Sequence, residues 1–268
     1  MSAGLEVLIH APREHHDEVL RDGVGSLAQD LPGLQALFFG RYNKPDWHLK
    51  LSLLGEVPRG PVERRLEDLR RRGLSTGDEI AAYAPELDPY GGPQGARLAE
   101  QIHHHDAQAC LAFLRLEAEG RLARTRRELS LLLTERFLDL LDFTREERLA
   151  FYAFCYSWAV DMGTWSEEER AILDAKYASL AADLHTLLAE RDCPALWGGE
   201  EAMAVALDLL ERLRPLAAEL RRGIAEGRIA RDVITLTWYL THLHANRLQI
   251  EAYGEAVLRY LMHRYHAA

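Results

Sequence analysis

The segment THLHANRL, residues 241–248, packs two histidines, an asparagine and an arginine into one of the most apolar, helix-like parts of the chain. Burying such groups is unfavourable unless each finds a partner, so the segment is either well-paired structure or a working site. On a helix turning about 100° per residue, Leu236, Leu240, Leu243, Arg247 and Ile250 form one stripe. His244 lies beside it, and His242 diverges toward Trp238 and Asn246. Histidines two residues apart suit a single metal poorly, because helical ligand pairs sit at i and i+4; no metal is expected here. His244 is the better candidate for proton transfer near neutral pH, with Arg247 in the same cleft. A core histidine satisfied by a backbone carbonyl or by Glu251 is the competing reading.

Three further stretches carry polar chemistry. In RYNKPDWHLKL (41–51), Arg41, Tyr42, His48 and Lys50 fall on two neighbouring strands, and His48, Lys50 and Ser52 alternate with leucines, so they share one sheet face. That face is either plain solvent-facing surface or the floor of a cleft. The block around Glu86, Asp88 and Tyr90 ends in Gly91-Gly92-Pro93, where paired glycines allow close backbone approach. Turn chemistry explains much of it, and Glu86 and Tyr90 also suit a pocket-lining loop. IHHHDA (102–107) is read as a solvated helix surface, with His103 and Asp106 on one side and His104 and His105 splayed away.

The elements that must hold these groups divide the chain in two. GLEVLIHA (4–11), LQALFFGRYN (34–43) and WHLKLSLLGEV (47–57) read as strands, the last two joined at hairpin spacing through Pro45-Asp46. Helices are expected at roughly 12–30 and at 61–73, between Pro61 and Gly73. GDEIAAYAPEL is expected to add a strand. From about residue 95 the pattern is helical: 166–191 behind a Ser166/Glu169 capping box, 199–223 with Pro215 inside, and one or two helices over 229–266. Gly198-Gly199 and Gly223/Gly227 mark the breaks. The expectation is an α+β fold in one domain, 1–268. It is strand-rich over 1–93 and helical over 94–268, with antiparallel strands packed against the helical two-thirds.

Composition limits the function. The net charge is −10, which argues against a general nucleic-acid binder. The three cysteines, Cys110, Cys155 and Cys193, are widely spaced among apolar neighbours and are read as reduced and buried in a cytoplasmic protein. Neither a signal peptide nor a membrane-spanning run is recognised. No GxSxG, Walker A, GxGxxG or HExxH motif is present, so no nucleotide or other cofactor is expected.

The order of the motifs is more specific than any one of them. RY-x-x-P-x-x-HL-x-L, then YxPExxxYGGP from Tyr83, then QIHHHDAQACLAFL, ELSLLL and a terminal HLHANRL together resemble the C-terminal domain of lantibiotic dehydratases. That domain also occurs alone as thiopeptide-type bacteriocin biosynthesis proteins. The resemblance runs from residue 34 to about 260. It implies a partner in a ribosomally made precursor peptide, leader and core, with other enzymes of the same biosynthetic cluster. A homodimer is left open. One branch of the family eliminates glutamate from glutamylated Ser or Thr. Another, the pyridine synthases, closes two dehydroalanines in a formal [4+2] cycloaddition and then expels water and the leader.

Departures from the elimination branch point to the second. That branch carries two arginines in an HLRLR-like strand and another before YGG, whereas this chain has Lys50, Ser52 and Pro89. Arginine forks suit an anionic leaving group, and lysine keeps the charge without the bidentate geometry. The cyclase reading makes His244 the acid/base, Tyr90 or Tyr42 a donor and Glu86 an acceptor. Lys50, His48, Arg41, Asn246 and Arg247 then bind substrate. Glutamate elimination is the alternative, and a non-catalytic peptide-binding subunit is the third reading.

Overall fold

A computed structural model describes residues 3–161, 165–189 and 193–268. The chain divides into two compact units, Met1–Gly120 and Arg121–Ala268. It is α+β, with its strands N-terminal and helices dominating the rest.

The first unit is built on four antiparallel strands, β1 (Gly4–His10), β2 (Leu34–Tyr42), β3 (His48–Gly55) and β4 (Gly77–Ala82), in the order β2-β3-β1-β4. Strict alternation gives the sheet two unlike faces. Val7, Ile9, Leu37, Phe39, Leu49, Leu51 and Leu53 are all at most 2% exposed. The helical run between β1 and β2 includes α1 (His16–Glu18), a π-helical stretch Val19–Val24 and α2 (Gly25–Asp30). It lies on this apolar face with α3 (Arg59–Arg71), as the ion pairs Arg41–Asp17 and Arg70–Asp78 show. The other face carries Glu6, His10, His48, Lys50 and Ser52, with the register His10↔His48 and Glu6↔Ser52.

After β4 the chain turns at Tyr90-Gly91-Gly92 and enters α4 (Pro93–Ala118). Gly91 and Gly92 have φ of 70° and 105°, conformations that side chains disfavour. Proline then starts the helix, where its missing N–H is no loss. The Leu37 N–H donates to His104 Nδ1 at 3.1 Å, which caps the outer edge of β2 with α4.

The second unit is all helix: α5 (Arg126–Leu140), α6 (Arg145–Asp161), α7 (Glu167–Ala189), α8 (Pro194–Trp197), α9 (Glu200–Ala225), α10 (Val233–Arg247) and α11 (Ala252–Ala267). The α11 helix packs on α6 and α7, and α9 packs on α5 and α8. A buried knot joins three helices. Glu135 accepts from the Tyr152 hydroxyl, from Arg148 Nη1 at 2.9 Å and from His266 Nε2 at 3.1 Å. Burial works against the Glu135 charge, yet the His266, Tyr152 and Arg148 contacts hold its pKa below the ordinary carboxylate value. No helix among the described residues is long and apolar enough to cross a membrane.

Several sequence expectations need correction. IHHHDA is not a solvated surface: His103 and Asp106 are 3% and 6% exposed. Gly223 does not break a helix, because α9 runs to Ala225 and the break comes at Gly227, with φ of 70°. Helix α3 begins at Arg59, ahead of Pro61. The segment 229–266 forms two helices, and Cys193 is half-buried rather than buried. The capping box at Ser166 and Glu169 is present. The tail of the helix expected over 166–191 lies outside the described residues.

Candidate functional site

The polar face of the first unit brings together Tyr42, His48 and Lys50 with Glu86 from the loop after β4. Lys50 Nζ lies 2.9 Å from Glu6 Oε2 and 3.5 Å from Glu86 Oε1. Burial pulls the Lys50 pKa down, but Glu6, then Glu86 and Tyr42, outweigh it and hold the ammonium above the ordinary lysine value. Lys50 is therefore a fixed cation between two carboxylates. It can donate hydrogen bonds, and it cannot serve as a base.

Tyr42 stacks on His48, with ring centroids 5.4 Å apart and planes 14° from parallel. His48 Nδ1 donates to the Asp46 carbonyl at 2.8 Å, which leaves Nε2 with the lone pair in the neutral ring. Its cross-strand partner His10 is 5.8 Å away between centroids and reaches Glu79 at 3.6 Å. Arg41 belongs to the opposite face. It is 5% exposed and paired with Asp17 at 2.7 Å, so it does not join Lys50.

Helix α4 and the loop before it supply a second polar row. The Tyr90 hydroxyl is 2.8 Å from His103 Nε2, and the Tyr83 hydroxyl donates to Glu100 Oε1 at 3.0 Å. Phe38 sits between them, 5.7 Å from the His103 ring and 6.2 Å from Tyr83. Burial, and then the charge of Glu100, push the Tyr83 phenol far above its ordinary pKa. It stays protonated as a donor. On the same helix Cys110 Sγ lies 4.0 Å from Asp106 Oδ1.

In the second unit, α10 starts at an Asp232 cap that accepts the Thr235 N–H at 2.8 Å. The histidines of THLHANRL diverge as counted from the sequence. His242 turns to α11, where Nδ1 is 2.7 Å from Glu255 Oε2, and it stacks on Trp238. Burial opposes the Glu255 charge, but His242 and Arg259 keep its pKa low. His244 and Arg247 are buried, at 6% and 1% exposed, and Asn246 is half-buried on the last turn.

Glu6, Tyr83, Glu100 and His103 escaped the sequence reading as site residues. Glu6 was legible in principle, since alternation in β1 puts it on the Lys50 face. Glu100 and His103 share a side of α4 at i and i+3, but their phenol partners are fixed only by the turn at Gly91-Gly92.

Across residues 5–266 the chain matches the family model described as lantibiotic biosynthesis dehydratase C-term. It is 26% identical over 121 residues to the subtilin biosynthesis protein SpaB of Bacillus subtilis, an alignment covering 42% of this chain and 12% of SpaB. Among solved structures it resembles the tRNA-dependent lantibiotic dehydratase MibB from Microbispora sp. 107891 at a TM-score of 0.72 and 21% identity, covering 99% of this chain and 28% of MibB. It resembles the pyridine synthase TbtD from thiomuracin biosynthesis at a TM-score of 0.72 and 13% identity, covering 100% of this chain and 98% of TbtD. It resembles TsrL at 0.69 and 18%, covering 98% and 94%. At these identities the structural likenesses show the fold, and the chain spans only a small part of SpaB and MibB. The near-complete family match is the stronger finding, and by it this chain belongs to the lantibiotic biosynthesis dehydratase C-terminal domain family.

Proposed function

We propose that this protein modifies a ribosomally made precursor peptide by pyridine-synthase chemistry, a formal [4+2] closure of two dehydroalanines with release of the leader. The observation that carries this reading is the charge of the polar sheet face. Glu6 and Glu86 flank Lys50, and Glu100 lies with Tyr83 on the same unit. A departing glutamate needs cations that are free to receive it. Here the one lysine is already neutralised, and Arg41 faces the other way. Uncharged alkenes and amides make no such demand.

The amide before one dehydroalanine shifts its N–H proton to oxygen, giving a 2-azadiene. The diene then bonds to the second dehydroalanine through two new carbon–carbon bonds. The hydroxyl leaves as water, and the leader leaves as its amide, which makes the ring aromatic. His244 is assigned the proton transfers. Tyr90 and Tyr42 donate to substrate carbonyls, Glu86 accepts from an amide N–H, and His48, Lys50, Asn246 and Arg247 hold the peptide. Holding two alkenes in contact contributes on the order of 7–11 kcal/mol by itself. Incubation with a dehydroalanine-bearing precursor from its own gene cluster should yield a product lighter by water and the leader, seen by mass spectrometry. Unchanged mass with tight binding would leave a peptide carrier instead.

A further inference from the structure

The two edges of the sheet differ. At the β2 edge His104 on α4 takes the Leu37 N–H and α4 packs along the strand, whereas no strand among the described residues pairs with the outer edge of β4. The Tyr83 N–H donates to Gly4 O at 3.0 Å, and the register runs from Leu5↔Ala82 to His10↔Gly77. Antiparallel alternation then turns the backbone N–H and C=O groups of Asp78, Ile80 and Ala82 away from β1. An open row of this kind is a template for one more strand.

Beside it, a groove of about 480 Å³ lies between β4 and α3, with Asp78 and Ile80 on one side and Arg59, Glu63, Arg64, Glu67 and Arg70 on the other, so its basic and acidic side chains balance. Arg59 is paired with Glu63 at 2.7 Å and Arg70 with Asp78 at 3.2 Å. Arg64 is exposed and makes no ion pair among the described residues.

We propose that the β4 edge binds an extended segment of the precursor peptide as a fifth strand, with an acidic side chain of that segment meeting Arg64 in the groove. This rests on the peptide-modifying reading above. Main-chain bonds to Asp78, Ile80 and Ala82 supply the grip. Alternate side chains of the added strand point into the groove and supply the selection. A second copy of this chain fits less well, because its own Asp78 is already held by Arg70 and brings no spare carboxylate to Arg64.

The test uses the full-length protein and the labelled precursor peptide of its own gene cluster. Hydrogen exchange should slow at the amides of Asp78, Ile80 and Ala82 only when peptide is added. Ile80→Pro should weaken binding about tenfold, since it removes an outward N–H. Arg64→Glu should weaken it similarly. Peptide binding without protection at these amides would overturn the edge proposal and leave the peptide-modifying reading intact. Protection in the free protein that grows with its concentration would assign the edge to a second copy. Failure of the wild-type protein to bind the precursor at all would overturn both.

Discussion

Lys50 and His16 show how single side chains set the character of the first unit. Lys50 is held as an ammonium by Glu6, with its pKa above the ordinary lysine value of 10.5. The stability from that pair is complete below pH 10.5 and is lost only as pH rises through the higher folded value. Glu6→Gln should lower the Lys50 pKa, read by NMR of the methylated lysine; an unmoved resonance would mean that Glu6 does not hold it. His16 behaves oppositely. Burial first, then Arg41, lower its pKa from 6.5 to about 4. The folded state refuses a proton that the unfolded chain takes, so stability falls as pH drops from 6.5 toward 4. His16→Gln should flatten that part of the stability curve in urea titrations. For the chemistry, His244→Ala should lower turnover about 10²–10⁴-fold with peptide affinity retained, measured by single-turnover mass spectrometry.

Elements explain why these residues stand where they do, and how much of that is readable beforehand. Three of the four strands of the first unit were legible because period-2 alternation in VLIH, LFFGRY and HLKLSLL has no helical equivalent. Alternation also placed His48, Lys50 and Ser52 on one face without any structure. The burial of His103 was not legible, because HHHD has the composition of a solvated helix surface. Its partner Tyr90 arrives through backbone geometry at two glycines. Gly223 misled for a related reason. A glycine can sit inside a helix when its neighbours carry the packing, and Leu220 and Ile229 are buried on either side of it. Gly92→Ala should lower stability by roughly 1–3 kcal/mol through backbone strain at φ 105°. A thermal midpoint equal to wild type would show that the turn relaxes freely.

At the scale of the whole molecule, each unit has its own source of cohesion. The first rests on a two-faced sheet. The second rests on helices tied through a buried carboxylate, Glu135, shared by Tyr152, Arg148 and His266. Glu135→Ala strips Tyr152 and His266 of their carboxylate and leaves Arg148 with Asp139 alone, at 2.6 Å, and should destabilise the second unit by about 1–3 kcal/mol, seen as a lower urea midpoint. Family membership was legible in the order of motifs along the chain. The proposed ring closure rests on the missing arginines, and the pairing of Lys50 with Glu6 supports that proposal. The central claim is that this charge-neutralised face serves ring closure and not glutamate loss. It is tested most directly by offering two precursor peptides in one reaction, one with dehydroalanines and one with glutamylated serines, and following both masses. Release of water and leader from the first, with the second recovered intact, is the predicted result. Loss of glutamate from the second would contradict it.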